Sequence, residues 1–244
     1  MRTLVLAREY PHQFARIVVG VAALEVLGLA DGETVVARRA HLFVDAAGPH
    51  VVEHEVPCRR CLVPARIAVD DERALAVRTV FNVLGPLTNP AAPPYQLIGA
   101  YSKEAAKLMA DTLAGMPLER AFVVHGEPGW DEATPAGDFV LYDVRPGSVD
   151  EQVRSPGDYG LAVCKPEDLE GGDAEYNARE MVRVFTGEDR GAHRDALLMG
   201  VSLVLECLGT AEDARDGVAQ AAAAIDDGRA AAFLDTLRTH FEGR

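Results

Sequence analysis

The 244-residue chain is poor in cysteine, carries one tryptophan and only 6% aromatic residues, and has too few cations to balance its acids. Four cysteines, Cys58, Cys61, Cys164 and Cys207, are too sparse and scattered for the disulfide framework of a secreted domain. No apolar run is long enough to span a bilayer. The most apolar stretch, Ile17 to Ala30, carries Glu25 and falls short of the roughly 20 residues a crossing needs. A signal-peptide pattern is also missing, because the short apolar stretch after Met1-Arg2 gives way to Arg8, Glu9 and Pro11. A cytoplasmic protein without a membrane partner is therefore expected. With 24 Lys+Arg against 38 Asp+Glu, the formal charge is -14. Such a field repels polyphosphate backbones, so no nucleic-acid partner is expected. An anionic small-molecule substrate would need a local cationic pocket or a metal to offset it.

What is present is ordinary for a globular protein: 48% hydrophobic residues, enough to bury a substantial core. Phe14, Ile17, Val18, Val21 and Ala22 share one stripe, which predicts a helix over 12–27 ended by Gly28. Segments 34–44, 50–56 and 62–69 are rich in β-formers, with a turn at Ala47-Gly48-Pro49. The polar break Asp70-Asp71-Glu72-Arg73 divides this front segment, residues 1–74, from a domain at 75–244. Beyond the break, strands and helices alternate. Strands are expected at 96–101, 120–125, 139–144 and 148–153, the last two around Arg145-Pro146-Gly147. Ser102 should cap a helix with Ala105, Leu108, Met109 and Thr112 on one face. Four helices should follow over 173–186, 193–208, 212–226 and 229–241, punctuated by Gly187, Gly209 and Gly228. The fold class read from this pattern is α/β, a mainly parallel sheet flanked by helices, with a small helix-plus-β segment in front.

The most informative run is Arg78-Thr79-Val80-Phe81-Asn82-Val83-Leu84-Gly85-Pro86-Leu87-Thr88-Asn89-Pro90. It places a guanidinium, suited to bidentate capture of a carboxylate, just ahead of a tight Gly/Pro/Asn loop. From spacing alone, a structural ion pair beside a rigid turn is the commoner arrangement. Asp131 and Glu132 lie on a loop after an apolar strand, where neighbouring carboxylates can hold a hydrated Mg²⁺. A solvated acidic loop tip is the ordinary alternative.

The 78–90 run closely resembles the signature of anthranilate phosphoribosyltransferases, within the nucleoside phosphorylase/phosphoribosyltransferase class. Further matches follow in order: Val123-Val124-His125-Gly126 into Glu127-Pro128-Gly129-Trp130-Asp131-Glu132, then Asp158-Tyr159-Gly160-Leu161, Gly171-Gly172-Asp173-Ala174-Glu175 with Asn177-Ala178, Gly187-Glu188 and Arg194-Asp195. The resemblance covers roughly two thirds of the chain, from about Val77 onward. Several motifs in one register are a strong signal where any single one is weak. The resemblance implies a phosphoribosyltransferase catalytic-domain core and a pentosyltransferase activity that moves phosphoribose from phosphoribosyl pyrophosphate to an aromatic amine. It also implies that Arg78 holds the acceptor carboxylate, with Asn89 and Pro90 beside the substrate, and that Asp131 and Glu132 bind Mg²⁺.

The front segment departs from the family pattern. No counterpart of the family's Gly-Thr-Gly-Gly-Asp loop occurs ahead of Arg78. Val51-Val52-Glu53-His54-Glu55 only faintly resembles its Lys-His-Gly-Asn segment, with glutamate in place of both the lysine and the glycine. Two readings stay open: a transferase like its relatives, or a repurposed homologue with another small-molecule reaction or a binding or partner-subunit role. A homodimer would use an interface other than the family's. Cys58-Arg59-Arg60-Cys61 is a lone C-x-x-C. It is half of a zinc site completed by His41, His50 or His54, a redox pair, or, as the default, two ordinary cysteines in a turn. His125 is expected to be a satisfied strand-end histidine, and His193 and Arg194 to lie on the surface at a helix start. Leu197, Leu198, Val201, Val204 and Leu205 are expected to pack a helix into the core.

Overall fold

The computed structural model describes residue 87 and residues 93–242. The expected helix at 12–27, the three β-rich segments, the 70–73 boundary, Cys58 and Cys61, and Arg78, Asn89 and Pro90 lie outside the described residues.

The described chain runs β1 (Tyr95–Gly99), α1 (Lys103–Leu113), β2 (Arg120–Gly126), β3 (Phe139–Arg145) and β4 (Ser148–Arg154). It continues through short 3₁₀ turns at Pro156–Tyr159 and Pro166–Leu169 into α2 (Ala174–Phe185), α3 (Ala192–Leu208), α4 (Ala214–Asp226) and α5 (Arg229–Glu242). The sheet order follows the sequence, β1-β2-β3-β4. β1 and β2 are parallel, because α1 carries the chain back between them. β2–β3 and β3–β4 are antiparallel. The expected α/β sheet flanked by helices is present, and among the described residues its pairing is mixed. Pro146-Gly147, with Gly147 at φ +76, turns β3 directly into β4, and so short a connection can only give an antiparallel pair.

The sheet is a wall between two apolar layers. Ala121, Val123, Val140, Tyr142 and Val144 point to one side and pack on Ala105, Ala106, Met109, Ala110 and Leu113 of α1. Phe122, Val124, Phe139 and Leu141 point to the other and meet Met199, Leu203 and Cys207 of α3. This period-2 division explains why β2 reads as one continuous apolar run: both of its faces are covered. The expected face of α1 needs correction. Leu108 is 57% exposed and Thr112 returns its hydroxyl to the Leu108 carbonyl, while the alanines at 106 and 110 take the buried positions. Small side chains there let α1 lie close to the sheet.

Beyond α3 a helical layer closes on Val184, Phe185, Leu197, Leu198, Val201, Leu205, Ile225 and Phe233. Side chains start these helices: Ser102 accepts from the Ala105 N–H and Asp173 from that of Tyr176, both as expected, while Asp213 accepts from those of Arg215 and Asp216 and starts α4 at Ala214, two residues after the expected start at 212. Arg194 is not at the surface. It is 7% exposed and donates to Asp226 Oδ2 at 2.9 Å, where the end of α4 meets the start of α3. β4 carries the outer row of the described sheet with Asp150, Glu151, Gln152 and Arg154, a polar composition that discourages further pairing.

Candidate active site at the strand ends

Because β1 and β2 are parallel, their C-terminal ends, Gly99 and Gly126, lie at the same edge of the sheet. In open α/β sheets this edge is where ligands sit. His125 fastens the two ends together, with Nδ1 2.8 Å from the Ala100 carbonyl oxygen. That contact places the proton on Nδ1 and bears out the expected satisfied strand-end histidine. Glu104, in the first turn of α1 at the same edge, has its carboxyl held below the ordinary range. A backbone N–H is the main cause, the Ser102 hydroxyl the next, and His125 contributes weakly.

The loop from Gly126 to Phe139 presents Asp131 and Glu132. It is built from the backbone. Gly126 and Trp130 exchange bonds in both directions, Gly126 N–H to the Trp130 carbonyl at 2.9 Å and Trp130 N–H to the Gly126 carbonyl at 3.0 Å. Gly129 closes this turn at φ +120, which favours glycine. The Glu127 N–H reaches the Asp138 carbonyl at 3.0 Å and cinches the loop at its base. Ala133, Thr134 and Pro135 then plunge into the protein, and the Pro135 carbonyl accepts from the Cys164 N–H at 2.9 Å. Asp131 and Glu132 are left half-buried between an exposed tip, residues 127–129, and this buried return. Gly126 has a second task here. A Cβ at that position would meet the Glu132 carbonyl oxygen at 2.2 Å, so only glycine lets the loop close with Glu132 against the strand end. Nothing in the linear pattern distinguishes this glycine from an ordinary strand terminator.

The opposite end of β2 carries the other charged cluster. Arg120 grips Asp143 through two hydrogen bonds, Nε to Oδ1 at 2.9 Å and Nη2 to Oδ2, and donates from Nη1 to the Glu206 carbonyl. Arg154, which the register sets level with Phe139 and Gly126, reaches back into this cluster and donates to Glu206 Oε2 and to the Tyr159 hydroxyl, each at 2.9 Å. Both guanidiniums lie over the Phe122 ring, 4.6 and 5.8 Å from its centroid. Burial pushes the Cys207 thiol beside this cluster up to about 11. All of this is structural cement.

The stretch leading into α2 is also clamped. The buried Asn177 side chain accepts from the Gly172 N–H at 2.8 Å and donates to the Gly172 carbonyl at 3.0 Å. Sequence reading marks Asn177 as part of a motif; its contact with the backbone five residues earlier emerges only in three dimensions. The structure thus positions Asp131 and Glu132 together, while Arg78, Asn89 and Pro90 fall among the residues it does not describe.

Comparison with known proteins bears on what this edge is for. Residues 58–231 match the model of a glycosyl transferase family, its a/b domain. The chain belongs to that family. Among curated relatives of this glycosyl transferase domain, the anthranilate phosphoribosyltransferase of Solibacter usitatus is 45% identical over 163 residues, covering 67% of this chain and 48% of the relative. The chain spans about half the length of the curated relatives it matches. The solved anthranilate phosphoribosyltransferase of Thermus thermophilus is similar at 37% identity with a TM-score of 0.62, over 70% of this chain and 51% of that one. The Saccharomyces cerevisiae enzyme in complex with PRPP and Mg is 26% identical with a TM-score of 0.61, over 69% of this chain and 47% of the other. The family resemblance expected from the ordered motifs is borne out. Among the described residues, no helix is long and apolar enough to cross a membrane.

Proposed function

We propose that this glycosyl transferase domain serves transfer of phosphoribose from phosphoribosyl pyrophosphate to an aromatic amine such as anthranilate. The observation that carries the reading is the acidic pair Asp131-Glu132, on a loop shaped by backbone bonds at the C-terminal end of a parallel strand, in a chain that is 45% identical over 163 residues to an anthranilate phosphoribosyltransferase.

The donor set fits Mg²⁺. Two adjacent, half-buried carboxylates offer hard oxygen ligands, and the close approach of Glu132 to Gly126 holds one of them at the strand end without a flexible tether. Mg²⁺ commonly takes one or two protein carboxylates and completes its shell with water and phosphate oxygens. When bound, the ion would neutralise charge gathering on the departing pyrophosphate. The chain's own residues have the task of positioning. Asp131 and Glu132 would hold the ion, Arg78 would orient the carboxylate of the acceptor by a bidentate contact, and Asn89 and Pro90 would border the acceptor. The His125–Ala100 contact would keep the two strand ends from parting while the substrates are held.

Calorimetry of the chain with phosphoribosyl pyrophosphate and Mg²⁺, followed by turnover read from the loss of anthranilate fluorescence, tests this. Heat of binding and turnover together are expected. Absence of binding at millimolar donor would overturn the proposal.

A further inference from the structure

Outside the strand-end site, the junction of α2 and α3 brings three metal-binding side chains together. Glu180 of α2, Asp189 of the connecting segment and His193 of α3 each offer a ligand atom, all within 4.8 Å of one another, and all three residues are half-buried. We infer that this junction is a second metal site, for a divalent transition metal of the zinc type, distinct from any Mg²⁺ bound at Asp131 and Glu132.

The junction is held in shape by its backbone. Gly187, at φ +76, ends α2, and the N–H groups of Glu188 and Asp189 both return to the Arg183 carbonyl at 2.9 and 3.0 Å. This tight return sets Asp189 beside the last turns of α2, where Glu180 lies. Asp189 is then fixed in rotation: its Oδ1 accepts from the Gly191 N–H at 2.8 Å, and its Oδ2 faces His193 Nδ1 at 3.4 Å. A metal-ligating carboxylate is commonly oriented in this way, by a hydrogen bond to its other oxygen. Glu180 is engaged by Arg183, Nη1 to Oε2 at 2.8 Å, from a side chain that is 49% exposed. The Glu180 side chain is 17% exposed, so the arginine is the outer partner of this bridge and can swing into solvent when a cation takes its place.

The chemistry of the three groups selects the class of ion. An imidazole favours zinc and its neighbours over Mg²⁺ and Ca²⁺, which take oxygen. Two carboxylates and a neutral imidazole balance a 2+ charge, and three protein ligands leave a tetrahedral ion one position for water. Bound there, the ion would staple the end of α2 to the start of α3.

Calorimetry of the full chain with Zn²⁺ alone reads the site directly. The Cys58→Ser/Cys61→Ser and Asp131→Asn/Glu132→Gln variants are expected to retain one equivalent that His193→Ala loses. Glu180→Gln and Asp189→Asn, which preserve side-chain shape, are expected to weaken the same equivalent at least tenfold, and Mg²⁺ at millimolar concentration should not displace it. If His193→Ala does not fold, as judged by circular dichroism, the two isosteric variants decide the question. Uptake of Zn²⁺ by the parent chain that is unchanged in Glu180→Gln and Asp189→Asn would overturn the assignment. So would a parent that takes up none at about 100 μM Zn²⁺.

Discussion

The two ends of β2 use charge in opposite ways. At Arg120, cations and anions are interleaved: Arg120 on Asp143, Arg154 on Glu206, both over Phe122. At Gly126, backbone bonds gather two carboxylates on adjacent residues of one loop. Interleaving satisfies buried charge and fastens strand to helix. Gathering like charge makes a place for a cation. One strand seven residues long therefore carries a structural pole and, at its other end, the pole of the proposed site. Their separation lets the first be rigid without obstructing the second.

Substitutions at the two poles should separate accordingly. The largest effect is expected at the site pole. Asp131→Asn/Glu132→Gln should lower the proposed Mg²⁺-dependent phosphoribosyl transfer by at least about 100-fold, the order of loss when one preorganised contact to developing charge is removed. The melting temperature should stay near that of the parent, because the loop is shaped by main-chain bonds that these changes leave in place. A large loss of stability with activity retained would invert the comparison. At the structural pole, Asp143→Ala strands Arg120, whose side chain is only 18% exposed. Removing one partner of such a pair should cost about 3 kcal/mol in urea unfolding, and cost activity only in proportion to the unfolded fraction.

The structural pole should also have an alkaline weakness. Burial raises the Cys207 thiol from 9.0 to about 11, so between these values the unfolded chain gives up a proton that the folded chain keeps. Stability is then fully present below pH 9 and falls as pH rises toward 11. At pH 10.5 the loss from this group is on the order of 2 kcal/mol relative to pH 8. Cys207→Ala should flatten that part of the slope in urea titrations at the two pH values, whatever it does to stability at pH 8. An unchanged slope would remove Cys207 from the account of this pole.

The site pole was more legible in sequence than the structural one, and the reason is distance along the chain. Asp131 and Glu132 are neighbours in sequence, inside a motif that keeps family order, so reading along the chain finds them. Arg120 meets Asp143 and Glu206 at separations of 23 and 86 residues, and no local pattern announces such pairings. The helices were similarly open to reading because their signals are local: Ser102 and Asp173 cap where expected, and Gly187 and Gly209 end helices at positive φ. Strand direction was not. The apolar run of 139–144 is the same whether β3 runs with β2 or against it, and only the paired register shows that it runs against. Arg194 misled for a related reason, since its burial depends on Asp226, at the far end of the next helix.

Asn177→Ala, the smallest effect, tests whether the approach to α2 is held by the side chain or by the helix itself. The Asn177 amide makes a two-bond clamp on Gly172, and a Cβ on Gly171 would come within 3.1 Å of the Asn177 Oδ1. Truncation removes both bonds but leaves Gly172 able to find water, because that stretch is largely exposed. The net cost should therefore be about 1 kcal/mol, that of hydrogen bonds exchanged for solvent, well below the cost of orphaning buried partners. Asp173 still caps Tyr176 in the variant, so the helicity of α2 should persist. Amide exchange is expected to speed up at Gly172 and to stay slow within α2. Loss of protection along α2 would instead make Asn177 the anchor of the whole helix, and would extend structural cement well beyond the Arg120 end of β2.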